Sequence, residues 1–130
     1  MTDVSRQLLK AFRDTVASWE LDLSEVRYLI GVEEAAVWEF LSAEAIDVSE
    51  EVVARIVMVV QIRAALDLCW SPSLSRQWMK LPNGGDPYNG ISPLEYVKGH
   101  AWPGLFWILR QVQAWAVGNF QGVLYLSECT

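Results

Sequence analysis

The segment EEVVARIVMVVQIRAALDLC, residues 50–69, decides the fold. Its apolar residues Val52, Val53, Ile56, Val57, Val59, Val60, Ile62, Leu66 and Leu68 continue well past the roughly four to eight residues of an ordinary strand. That length favours a helix, despite the β-branched run at 56–60. The apolar positions point nearly all round the helix axis, so the helix must lie at the centre of a core or be shared with a partner. Asp47 and Ser49 are both suited to cap its N-terminus.

Towards the N-terminus, Leu8, Leu9, Phe12, Val16 and Trp19 recur at three- and four-residue steps and predict a helix over 5–19. Ser24 is placed to cap a second, short helix that ends at Gly31. A third follows over 33–41, burying Val37, Phe40 and Leu41, with Glu33 and Glu34 in the first turn where the helix dipole favours acids. Towards the C-terminus, Ser71-Pro72 opens a helical stretch over 71–80. A loop rich in Pro, Gly and Asn, LPNGGDPYNGI, occupies 81–91. Ser92, Pro93 and Glu95 restart a short helix as cap, first and third residues, and Gly99 closes it. A last helix is expected over 103–117, ending at Gly118-Asn119. Trp102, Leu105, Phe106, Leu109, Val112 and Ala116 form its core stripe, and Trp107 falls on the opposite side with Arg110, Gln111 and Ala114. The tail, with Val123, Leu124, Tyr125 and Leu126, is too apolar to stand free in water and is expected to lie along another surface. The pattern is all-α throughout: a helical N-terminal region at 1–70 and a C-terminal region at 71–130, packed as one compact unit.

Composition sets the function class. The chain of 130 residues is 52% hydrophobic and 20% charged, with seven tryptophans and a mean hydropathy of +0.18. This excludes a disordered chain and exceeds what a core of this size hides, so the surplus points to an interface with a partner or a second copy. No run approaches the roughly 20 apolar residues of a membrane span. The N-terminus MTDVSRQLLK lacks the pattern of a secretory signal. Cys69 and Cys129 show no metal spacing and no disulfide framework, so a cytoplasmic protein is expected. The net charge of −6 is uneven. Residues 14–51 carry eleven acids against Arg27 alone, whereas 1–13 and 55–130 each carry +2.

Residues 68–99, LCWSPSLSRQWMKLPNGGDPYNGISPLEYVKG, resemble the toxin-binding domain of the Xre/MbcA/ParS antitoxin family. The matching features are Trp78 before Pro82-Asn83, then Gly90, Ser92-Pro93-Leu94-Glu95 and Gly99. The stretch RIVMVVQIRAALDLCW resembles the long helix that precedes it, and EVRYLIGVEEAAVWEFLS resembles the family's helix-turn-helix, Xre-like region. The resemblance implies an all-helical dimer that neutralises a RES-type toxin, an NAD-consuming or ADP-ribosylating protein, by covering its active site partly with the C-terminal region. It also implies repression of its own operon. The GGDPYNG insertion departs from the shorter, more apolar linker of the family.

The helix that would read DNA, 33–41, departs further. It holds acids and no Arg or Lys to meet phosphates, and no Asn, Gln or Arg to read bases. A helix-turn-helix-shaped scaffold without a DNA role is therefore favoured over a DNA-binding regulator, whose phosphate contacts would fall to Arg6, Lys10 and Arg13. An orphan homodimeric scaffold is the further alternative. No enzyme is expected. His100, the single histidine, lacks a nucleophile partner and reads as a cation at a helix C-terminus, even with Glu95 nearby. The 83–90 stretch lacks the spacing and Lys-Ser/Thr of a phosphate loop. No cofactor and no metal site is expected. Candidate partner contacts are Trp107, Arg110, Tyr125, Pro82, Asn83 and Gly90, tryptophan and arginine being the residue types most enriched at interface hot spots. The charge distribution predicts that a DNA fragment from the chain's own upstream region is not retarded in a gel even at low salt; retardation that fades as salt rises would overturn this reading.

Overall fold

The computed structural model describes residues 2–4, 6–42 and 46–129, with side chains over 6–42 and 48–118. Helix α1 (Arg6–Ser18), α2 (Leu23–Ile30) and α3 (Glu34–Ser42) precede the central α4 (Glu50–Cys69). Then come α5 (Pro72–Gln77), a 3-10 turn (Trp78–Lys80) and α6 (Pro93–Cys129). The fold is all-α apart from a small ribbon absent from the sequence reading, in which β1 (Thr2–Val4) pairs antiparallel with β2 (Ile46–Val48), Thr2 opposite Val48. Three-residue strands carry too little alternation to register against a helical background.

Helix α4 sits against the core along one side, with Ala54, Gln61, Ala64 and Leu68 exposed on the other. Val52, Ile56, Val59, Ile62, Ala65 and Leu66 are buried against α1, α2 and above all α6. Fully burying one such aliphatic side chain contributes about 1.5–3 kcal/mol, so this helix anchors the core. Ser49, rather than Asp47, caps it, its hydroxyl accepting from the Val52 N–H at 3.3 Å. Helix α1 brings Leu9, Phe12, Val16 and, just past its end, Trp19 into the same core.

The α2 cap is Asp22 and not Ser24. The Asp22 carboxylate accepts from the Glu25 N–H at 2.8 Å, and Glu25 accepts from the Asp22 N–H at 2.9 Å, a reciprocal capping box. A carboxylate is the stronger acceptor, and here the third helical residue can reach back to the Asp22 backbone. Gly31 ends α2 in the left-handed conformation at φ 72°, its N–H donating to the Arg27 carbonyl at 2.9 Å. A two-residue turn then leads into α3, where Val37 and Phe40 are buried and Leu41 is only partly so. Arg13 fixes the end of α3 by donating from Nε to the Phe40 carbonyl at 2.8 Å.

The C-terminal elements are tied back onto this frame. Lys80 pairs with Glu25 at 3.3 Å and donates to the Glu20 carbonyl. The Lys98 ammonium lies over the Tyr28 ring, 5.2 Å from its centroid. Gly99 does not end a helix. The backbone instead leaves helical geometry at Ala101 (φ 54°, ψ −141°), and α6 is two helical segments joined at that kink. Pro103 lies just beyond it; lacking an N–H, proline suits the first turn of a restarted helix. The second segment continues past Gly118-Asn119 to Cys129. No helix among the described residues is long and apolar enough to cross a membrane.

Gly31 leaves little room for a side chain. A Cβ there would lie 2.7 Å from Nη1 and 2.8 Å from Cζ of Arg55, whose side chain is buried, and would sit at a positive φ. Gly31→Ala is expected to destabilise the fold by about 1–2 kcal/mol in urea unfolding; a change indistinguishable from zero would contradict this packing.

Candidate functional site

The 82–90 loop is closed by backbone hydrogen bonds. The Asn83 N–H donates to the Ile91 carbonyl at 3.0 Å, and the Gly90 N–H donates to the Asn83 carbonyl at 2.7 Å. Within that closure the Tyr88 and Asn89 N–H groups both donate to the Gly85 carbonyl, and the Asn83 Oδ1 accepts from the Gly85 N–H at 2.9 Å. The amide side chain of Asn83 thus supplies a local turn that asparagine favours. Gly90 takes φ 98°, which lets the chain reverse into the Ser92 cap. Ser92 behaves as the sequence predicts, accepting from the Glu95 N–H at 3.2 Å with Pro93 at the first helical position.

Tyr88 holds the loop to α6. It is 2% exposed, and its hydroxyl donates to the Gln111 Oε1 at 2.6 Å. The same Gln111 amide donates back to the Asp86 carbonyl at 3.4 Å. The Tyr88 ring meets Trp78, Tyr96 and Trp107 edge to face, at centroid separations of 6.1, 5.5 and 6.3 Å. Burial, and secondarily the neighbouring Tyr96, push the Tyr88 phenol above its ordinary pKa, so the fold holds it protonated and donating.

Around this hub the structure places the candidate contacts as follows. Trp107, 41% exposed, lies on the α6 face away from the core, with Arg110 exposed on that same helix and Gln111 partly covered. Pro82 and Gly90 are exposed at the ends of the loop, and Asn83 is partly buried. The Tyr88 contacts bring the loop and Trp107 together. Tyr125 is carried on α6, but its side chain lies outside those described. Sequence reasoning missed Tyr88 itself; its position within a Pro/Gly-rich loop resembled exposed turn chemistry, and its acceptor is 23 residues away.

One expectation is corrected. Trp102 and Phe106 are not core residues. They are 47% and 46% exposed and face each other edge to face at 6.4 Å, while Ile108 takes the core position with Leu105, Leu109 and Val112. Both residues follow the kink at Ala101, and in that segment the buried stripe centres on 105, 108, 109 and 112, with Phe106 about 100° round the helix from Leu105. His100 lies at the C-terminal end of the first α6 segment, next to the kink; its Nδ1 is 2.9 Å from the Tyr96 carbonyl, and its ring stacks on Tyr96 at 4.1 Å.

In the N-terminal half, the outward side of α3 carries Glu34, Ala35, Trp38 and Glu39, with exposed Glu33 just before it. That side meets solvent with acids and an indole, a surface that repels phosphates. No group of His, Cys, Asp and Glu able to hold a metal occurs among the described residues. The chain matches no protein-family model, no curated protein and no solved structure.

Tyr88→Phe is expected to lower stability by about 1 kcal/mol, the net value of the lost hydrogen bond. A phenol whose pKa is raised on folding stabilises the fold below its unfolded pKa and loses that contribution as pH rises through and beyond it. Wild-type stability is therefore expected to fall above about pH 10, with a shallower fall in Tyr88→Phe. Denaturant titrations of both proteins across that range check the point; parallel curves would contradict it.

Proposed function

We propose that this chain is a non-enzymatic binding protein of the antitoxin kind, which occludes the active site of a RES-type, NAD-consuming or ADP-ribosylating toxin. The observation that carries the proposal is the joining of the 82–90 loop to the Trp107 face of α6 through Tyr88 and Gln111. The Trp78, Pro82-Asn83, Gly90 and Ser92-Pro93-Leu94-Glu95 pattern that resembles the antitoxin family falls on the elements that build this face.

The physical case rests on what such a face offers. Trp107 supplies a large, rigid apolar area at little entropic cost, and Arg110 supplies a planar set of donors for the carboxylates or carbonyl oxygens of an enzyme pocket. A loop already closed by its own hydrogen bonds loses little freedom on binding, so more of the contact energy remains as affinity. The acidic α3 surface plays no part in this and argues against an operator-binding role for that helix.

A second reading, self-association into a dimer, is favoured by a separate groove between α4 and α6. It has a volume of about 460 Å³, is lined by Ala64, Leu68, Ala116 and Val117, and leaves Leu68 and Val117 exposed. Sedimentation of the purified protein distinguishes monomer from dimer and leaves the toxin question to a separate assay.

That assay is co-expression with a RES-type toxin encoded beside the chain. Protection of growth and co-purification of the two proteins are expected, with Trp107→Ala weakening the complex by about 2 kcal/mol, or roughly thirtyfold. A wild-type protein that neither protects against nor co-purifies with the toxin would overturn the proposal.

A further inference from the structure

A cavity of about 530 Å³ opens between the end of α4, the 3-10 turn, the loop and α6. It shares Trp78 and Asn83 with the elements of the toxin-binding reading, but the ligand argued for it is a separate one. Its walls are three indoles, Trp70, Trp78 and Trp115, with Cys69, Asn83 and Ala114 between them. The volume lies within the range of small-molecule sites, about 300–1,000 Å³.

The shape selects among ligands. Trp115 meets Trp70 at 70° with centroids 6.4 Å apart, and meets Trp78 at 90° with centroids 5.7 Å apart. A flat aromatic ligand stacks best in a slot with parallel walls. Indoles standing nearly perpendicular to one another make a corner, which suits a compact, rounded group.

The chemistry selects further. The faces of indoles carry negative potential and attract cations more strongly than any other side-chain ring. No Lys, Arg or His lines the cavity among the described residues, so nothing there repels a positive group. No carboxylate lines it either, and burial pushes the Cys69 thiol up in pKa, keeping it neutral. With no anion to offset dehydration, a strongly hydrated primary ammonium is disfavoured. A quaternary ammonium, with its charge spread under methyl groups, loses water at much lower cost. The Asn83 amide, already oriented by its bond from the Gly85 N–H, also lines the cavity.

We infer that the Trp70–Trp78–Trp115 corner is a binding site for a quaternary ammonium group of the choline or trimethylated-amine class. The site stands independently of any toxin.

The test titrates the full chain, carrying ¹⁵N-labelled tryptophan, with choline chloride, replacing sodium chloride so that ionic strength stays constant. The uncharged carbon isostere 3,3-dimethylbutan-1-ol is titrated in parallel. Saturable shifts of the Trp70, Trp78 and Trp115 indole resonances are expected, with the isostere weaker by about tenfold. Trp70 is 39% exposed, so Trp70→Ala removes one wall with little loss of core, and it is expected to weaken choline by about fivefold or more. If that variant does not fold, the wild-type resonances still locate the site. The inference is overturned by the absence of saturable shifts, by shifts confined to Trp38, Trp102 or Trp107, by equal affinity for the isostere, or by unchanged affinity in folded Trp70→Ala.

Discussion

A buried phenol must find an acceptor or leave its hydroxyl stranded at a cost of about 1–3 kcal/mol, and Tyr88 finds Gln111 at 2.6 Å. Because the two residues lie on different elements, that requirement fixes more than a side chain. The loop cannot move from α6 without breaking this bond, the return bond from Gln111 to Asp86, and ring contacts to Trp78, Tyr96 and Trp107. The 3-10 turn, the loop and both segments of α6 converge on one residue. Several weak interactions that share a partner reinforce one another, so the loop behaves as an extension of the helical frame rather than a tether.

The frame itself follows from α4. A helix that is apolar on nearly every side seeks cover, and α1, α2 and α6 cover one side of it, while Ala54, Gln61, Ala64 and Leu68 stay exposed on the other. The closure is incomplete near its C-terminal end, where Leu68 stays exposed beside Val117 of α6. The chain thereby separates its surfaces by chemistry. The acidic residues gather on the N-terminal elements, while Trp70, Trp78, Trp107 and Trp115 build the loop-bearing face and the indole-lined cavity.

Helix content was legible in the sequence because local signals write it. The long α4 followed from sustained apolar character, and Gly31, Ser49, Ser71 and Ser92 marked helix ends through capping chemistry that acts within three residues. The α2 N-cap shows the limit of that reasoning. Ser24 and Asp22 are both capping types, and only the reciprocal contact with Glu25 decides between them. Trp107 and Arg110 were correctly assigned to the outward side of α6 by helical phase. Trp102 and Phe106 were not, because the apolar stripe was drawn through them rather than through Ile108, which faces the core with Leu105, Leu109 and Val112. Tyr88 was invisible for a different reason: its burial depends on Gln111, Trp78 and Trp107, which come together only once the chain has folded.

The central claim is that the loop and α6 form one preformed face. Amide hydrogen exchange at Gly90 tests it most directly, because that N–H donates to the Asn83 carbonyl at 2.7 Å although the residue itself is exposed. The account predicts protection approaching that of the Val112 amide in the core of α6, since the loop opens only when its anchor does. Exchange at the rate of an unstructured glycine, with Val112 still protected, would mean that the loop moves independently and that the face does not exist before a partner arrives.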